Sequence, residues 1–100
     1  MLREDVRSLA LTRAALDRLV GDWPRLLPHV QRNIATMRRA ESCSERYLSA
    51  WEKLLSAGPE ILCSVILAST DEAQVLRSVH PLAGLLSPAE RTDIIRTTGR

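Results

Sequence analysis

Few side chains in this 100-residue chain could act as acids, bases or nucleophiles, and they are scattered. Only His29 and His80 could serve as bases near neutral pH, and neither lies in a spacing typical of serine, cysteine or metal-dependent enzymes. His80 precedes Pro81, where we expect it to cap the end of a helix. The four glycines are isolated, so no glycine-rich phosphate loop is present. The sequence therefore predicts no enzyme activity and no catalytic residues.

Cysteines complete the set of possible metal ligands. Cys43 and Cys63 are far apart in the sequence, and neither forms a close pair with a histidine of the kind found in zinc sites. We therefore expect no metal and no other cofactor. The chain begins Met1-Leu2-Arg3 without an apolar secretory segment, which favours a cytoplasmic location with reduced thiols.

Arginine is the distinctive residue of this sequence. There are 13 arginines and one lysine, with a formal net charge of +2, a bias common in GC-rich bacterial coding sequences. No acid lies between Trp23 and Ala40. Basic and polar residues recur there every three or four positions, opposite an apolar stripe, and so share one helix face. The candidate partner-binding residues are Trp23, Arg25, His29, Arg32, Arg38 and Arg39.

This basic face has more than one interpretation. It is either an ordinary solvated helix surface or a docking face for an anionic partner, since guanidinium groups bind carboxylates and phosphates alike. Trp23 is either a lid on the core or an exposed anchor. A helix-turn-helix is disfavoured, because its recognition helix would have an acidic start and would offer only Gln74 and Arg77 to bases.

The elements that must position these residues are predicted to be helices. A composition of 45% hydrophobic and 26% charged residues is typical of one soluble domain, residues 1–100. The longest uncharged apolar stretch, residues 61–70, is too short to span a membrane. Helical periodicity without strand alternation predicts an all-α, compact bundle of five to six short helices. The expected helices are about 3–20, 28–40, 43–57, 59–68, 71–79 and 88–97, with 97–100 frayed.

Local signals define these boundaries. Gly21 is expected to end the first helix in a left-handed conformation, and Pro28 to open the second after a turn at 22–27. Capping boxes predict three further helix starts, at Ser42–Glu45, Ser69–Glu72 and Ser87–Glu90. The fourth helix is apolar nearly all round and is expected to be the most buried. The first helix should bury one face, formed by Leu2, Val6, Leu9, Leu16, Leu19 and Val20.

The segment 81–86 is unusually apolar for a linker. Two explanations are open: it packs into the core, or it forms a patch for a partner or for self-association.

These observations favour a small non-enzymatic interaction or regulatory protein that binds a larger bacterial assembly, through an acidic surface or a nucleoprotein complex, and blocks or modulates it. Inhibitors encoded by phages and mobile elements, such as anti-CRISPR proteins, have this size and lack catalytic residues, an analogy of class and not of sequence. One alternative is a nucleic-acid-binding regulator that contacts phosphates through the basic helix 25–39. A second is an antitoxin-like or homodimeric module based on segment 81–86. No membrane partner is expected.

Overall fold

The computed structural model describes residues 3–98, and the side chains of residues 6–97. This part of the chain forms an all-α bundle, as predicted, and contains no strand. Its helices are α1 (Arg3–Gly21), α2 (Trp23–Ala40), α3 (Glu45–Ala57), α4 (Pro59–Ile66), α5 (Asp71–Ser78) and α6 (Pro88–Thr98). Thr97 and Thr98 belong to α6, while Leu2 and the last two residues of the expected frayed end lie outside the described residues.

The core is built around Trp51 of α3, which is fully buried. Its indole N–H donates a 3.1 Å hydrogen bond to the carbonyl oxygen of Leu76 in α5. A buried N–H without a partner would be costly, so this bond fixes the ring relative to α5. Aliphatic side chains from every helix except α6, and from the segment before α6, form one buried core together with Trp51: Leu16, Leu19, Val30, Ile34, Leu48, Leu62, Ile66, Leu76, Leu82 and Leu85.

Arg77 is buried although it is charged. Its Nη1 donates to the carbonyl oxygens of Ile66, at 2.7 Å, and Ala68, at 3.1 Å. These carbonyls lie at the C-terminal end of α4, where the helix leaves acceptors unpaired and carries partial negative charge. Arg77, which a helix-turn-helix would have had to offer to DNA bases, instead holds α4 against α5, and this agrees with the disfavoured status of that motif.

The second helix begins five residues earlier than Pro28, and Pro28 lies exposed within it. Gly21 is the last residue of α1 and is not left-handed, so only Asp22 separates the two helices. Pro28 cannot donate to the carbonyl of Pro24, which costs one helical hydrogen bond. Trp23, Leu26 and Leu27 pack against the core on the same stretch of helix. We attribute the continuity of α2 across Pro28 to this packing.

Two of the three predicted helix caps are displaced by one or two residues. Ser44 and Thr70 are the capping residues, since their side chains accept from the N–H groups of Arg46 and Ala73. Ser42 instead donates to the carbonyl oxygen of Met37 at the end of α2. The box at Ser87 and Glu90 is confirmed, with reciprocal bonds of 2.9 and 3.1 Å.

Three predicted core residues lie at the surface. Val6 is 38% exposed, Val20 41% and Ile61 51%. The fourth helix, expected to be the most buried element, is buried on one face only, formed by Leu62 and Ile66. Because α4 has eight residues and packs against the core from one side, only one row of its side chains is fully buried.

The apolar segment 81–86 belongs to the core. Pro81, Leu82 and Leu85 are buried, which decides between the two explanations of its composition. The surface patch on which the homodimer alternative depended is absent from this segment.

His80 is half-buried just beyond the end of α5, where it lines a small cavity together with Thr12 of α1 and Arg91 of α6. Burial, and secondarily the charge of Arg91, lowers the pKa of His80 below its usual value. The expected helix cap is replaced by a turn contact, in which Nδ1 accepts from the N–H of Leu82 at 3.4 Å.

The pH dependence of folding should report this environment. An unfolded histidine takes up a proton as the pH falls through about 6.5, whereas folded His80 resists protonation until lower pH. Acidification therefore favours the unfolded chain, by no more than about 1.4 kcal/mol per pH unit. We expect urea unfolding to show a loss of stability between about pH 7.5 and pH 5.5, and a smaller loss in His80→Gln. An equal loss in both proteins would contradict this assignment.

Candidate interaction surface

The basic helix α2 is positioned first by its apolar side. Val30 and Ile34 are buried in the core, and Trp23, Leu26 and Met37 pack against it partly buried. Trp23 is therefore a lid on the core, which decides between the two interpretations of this residue. The opposite side of the helix must face outward.

One flank of α2 holds the segment between α5 and α6. The Asn33 side-chain amide donates to the carbonyl oxygens of Pro81, at 3.0 Å, and Ala83, at 2.9 Å. One turn earlier, the Nε2–H of His29 donates to the same Ala83 carbonyl at 2.7 Å. His29, a candidate partner-binding residue, is thus half-buried and engaged within the fold. Sequence reasoning missed Asn33, since no local pattern shows that its partners lie near residue 81.

The contact of His29 with the segment between α5 and α6 requires glycine at position 84. Gly84 has a φ of +88°, a left-handed conformation that side chains rarely tolerate. A Cβ atom there would also lie 2.9 Å from Nε2 of His29. The imidazole therefore packs directly on the backbone of the turn.

The other flank of α2 is tied to α3 through Arg38. Its Nε donates to both carboxylate oxygens of Glu45, at 3.0 and 2.9 Å, and its Nη2 to Glu52 at 2.8 Å. These bonds raise the pKa of Arg38 and lower that of Glu45. Two carboxylates therefore compensate the charge of Arg38, which is a poor candidate for binding a further anion.

Three candidate residues remain on the outward side, Arg25, Arg32 and Arg39, which we call the outer arginine row. Each is exposed. They are spaced seven residues apart, so adjacent guanidinium groups start about 10 Å apart along the helix. Arg25 forms an ion pair with Asp22, and Arg39 donates to the hydroxyl of Thr36 at 3.4 Å. Arg32 makes no ion pair or hydrogen bond with any residue that the structure describes.

The described residues also bear on two other kinds of functional feature, a metal site and a membrane-spanning helix. Among the described residues, no group of three or more His, Cys, Asp or Glu side chains could hold a metal ion. No helix in the described part of the chain has the length and apolar character needed to cross a membrane.

Comparison with protein-family models, with curated proteins and with solved structures finds no match. The geometry of α2 is therefore the basis for inferring a function.

The division of α2 into structural and free polar residues is testable by a matched pair of substitutions. Asn33→Ala leaves the Pro81 carbonyl without its donor and should lower the free energy of unfolding by about 1–2 kcal/mol. Arg32→Ala removes an exposed side chain without a partner and should change the free energy of unfolding by less than about 0.5 kcal/mol. Urea denaturation followed by circular dichroism gives both values. Equal effects of the two substitutions would contradict the division.

Proposed function

We propose that this protein is a non-enzymatic regulator that docks the outer arginine row of α2 on an acidic surface of a larger bacterial protein assembly. The observation that carries the proposal is the selective exposure of this row. The apolar side of α2 is buried, and its flanks are engaged by His29, Asn33 and Arg38. The guanidinium groups of the outer arginine row retain N–H donors for an external partner.

Arginine chemistry supports a protein partner. A guanidinium group donates two parallel hydrogen bonds to a carboxylate, and arginine is enriched at protein interfaces. A row of three arginines along about 21 Å of helix matches the scale of one protein–protein contact patch. We expect partner carboxylates placed along a ridge or helix at a similar spacing.

The outer arginine row offers few cations for binding nucleic acid. Proteins that bind duplexes through the phosphate backbone commonly make about 6–10 phosphate contacts. Here the row supplies three cations, and Asp22 already pairs with Arg25. Arg77, the basic residue considered for base contacts, is buried against α4. A protein partner is therefore the better fit.

In the proposed mode of action, the bound protein covers a surface of its target. A protein that acts by covering a surface should modulate its target stoichiometrically, with an effect that saturates once every copy of the target is bound. Small inhibitors from phages and mobile elements, including anti-CRISPR proteins, act without catalysis at this size, which supports the proposal only by analogy.

Charge reversal of the row tests the proposal. The double variant Arg32→Glu/Arg39→Glu should stay folded, because both side chains are exposed. The control, Lys53→Glu/Arg96→Glu, has the same net charge but changes exposed residues on α3 and α6. With each protein immobilised, a bacterial lysate should yield a partner that wild type and control retain and the row variant retains at least about tenfold less. Quantitative mass spectrometry measures the retention.

Two results would contradict the proposal. One is an identical set of retained proteins for the row variant and the control. The other is tight binding of random duplex DNA by wild type that weakens steeply with salt and is lost in the row variant, which would assign the row to phosphates.

A further inference from the structure

Helix α1 has a second apolar face that no described part of the chain covers. Val6 and Val20 are 38% and 41% exposed. Between them runs a shallow groove of about 360 Å³, lined by Val6, Leu9, Ala10, Arg13, Ala14 and Asp17. The opposite flank of α1 is engaged, because Arg18 donates to the carbonyl oxygen of Leu85 and pairs with Glu90 of α6.

The residues of this face have the spacing of a coiled-coil seam. Val6, Arg13, Asp17 and Val20 are exposed and Ala10 is half-buried, and the five alternate at intervals of four and three residues over two heptads. This alternation keeps one stripe of a helix facing a partner helix along its length. The buried residues Thr12, Leu16 and Leu19 form a separate stripe, so α1 has two faces suited to packing.

Two opposite charges lie at the middle of the seam. Arg13 and Asp17 are both exposed, and neither forms an ion pair or a hydrogen bond with another described residue. They are four residues apart on one helix, yet they do not pair with each other within the chain. Asp17 also lies near Cys63 of α4, where burial, and secondarily the charge of Asp17, raises the pKa of the thiol. No described residue of opposite charge pairs with Arg13 or Asp17, so both can form an ion pair across the seam.

We propose that this seam binds a second copy of the chain, with the two α1 helices antiparallel about a two-fold axis. In that arrangement Arg13 faces the partner's Asp17, and Asp17 faces the partner's Arg13. Ala10 faces the partner's Val20, so a small side chain meets a larger one. A two-fold interface repeats each of these pairs, so one arginine and one aspartate supply two ion pairs.

The charge order selects the antiparallel arrangement and a self-complementary partner. In a parallel pair, Arg13 would face Arg13 and Asp17 would face Asp17, and like charges that face each other across an interface are costly. In this register residues 10–20 of the two α1 helices face each other over about 15 Å, while Val6 lies beyond the end of the partner's α1, so the contact is at the small end of stable interfaces. We therefore expect a dimer that depends on protein concentration. The seam is separate from the outer arginine row, so this inference does not depend on the proposed function.

Charge reversal and exchange test the pairing. Sedimentation equilibrium should show a monomer–dimer equilibrium for wild type. Asp17→Arg and Arg13→Asp should each raise the dimer dissociation constant at least about tenfold, because like charges then meet twice. The exchanged variant Arg13→Asp/Asp17→Arg should recover dimerisation. Asp93→Arg, the same charge change at an exposed position of α6, should leave the equilibrium unchanged.

A mixture of the two single variants gives an independent result. Asp17→Arg presents two cations and Arg13→Asp presents two anions, so each repels itself and attracts the other. The mixture should form a heterodimer at concentrations where each variant alone is monomeric, and circular dichroism confirms that both are folded. A wild type that stays monomeric at millimolar concentration, single variants that still dimerise, or a mixture that stays monomeric would each overturn the proposal.

Discussion

The hydrogen bonds from α2 to the segment between α5 and α6 constrain the rest of the fold. Asn33 and His29 donate to carbonyl oxygens that no helix or strand would otherwise satisfy. They bind the backbone of the same segment that contributes Leu82 and Leu85 to the core. Because the imidazole packs on Gly84, the turn has one compatible residue at that position. Together with the buried apolar side of α2, these bonds set the rotation of the helix and therefore which arginines face outward.

Arginine has two separate uses in this protein. Arg18, Arg38 and Arg77 connect helices through carbonyl or carboxylate oxygens, and Arg77 does so while buried. Arg32 and Arg39 make no hydrogen bond or ion pair outside α2 in the described part of the chain. An arginine-rich composition therefore does not by itself describe a binding surface; the neighbours of each guanidinium group do.

Sequence periodicity was sufficient to predict the all-α class and the position of each helix, because the spacing of apolar residues reports the buried stripe directly. It failed where one local signal competed with tertiary packing, as at Pro28, or where adjacent residues could both serve as caps, as at Ser69 and Thr70. The outer arginine row followed from spacing alone. The engagement of His29 did not, since its partner Ala83 lies 54 residues away. Val6 and Val20 matched the buried pattern of α1, but only the packed structure separates its two faces.

Helix α2 carries hydrogen-bonded polar residues on its flanks, whereas Arg32 and Arg39 on its outer side have no hydrogen-bond or ion-pair partner outside the helix among the described residues. The most direct test is ¹⁵N relaxation of the arginine Nε–Hε groups, which measures side-chain motion on the picosecond to nanosecond timescale. The structure predicts a rigid Arg38, held between Glu45 and Glu52, and mobile side chains for Arg32 and Arg39. If Arg32 were as rigid as Arg38, or Arg38 as mobile as Arg32, the account of this surface would be wrong.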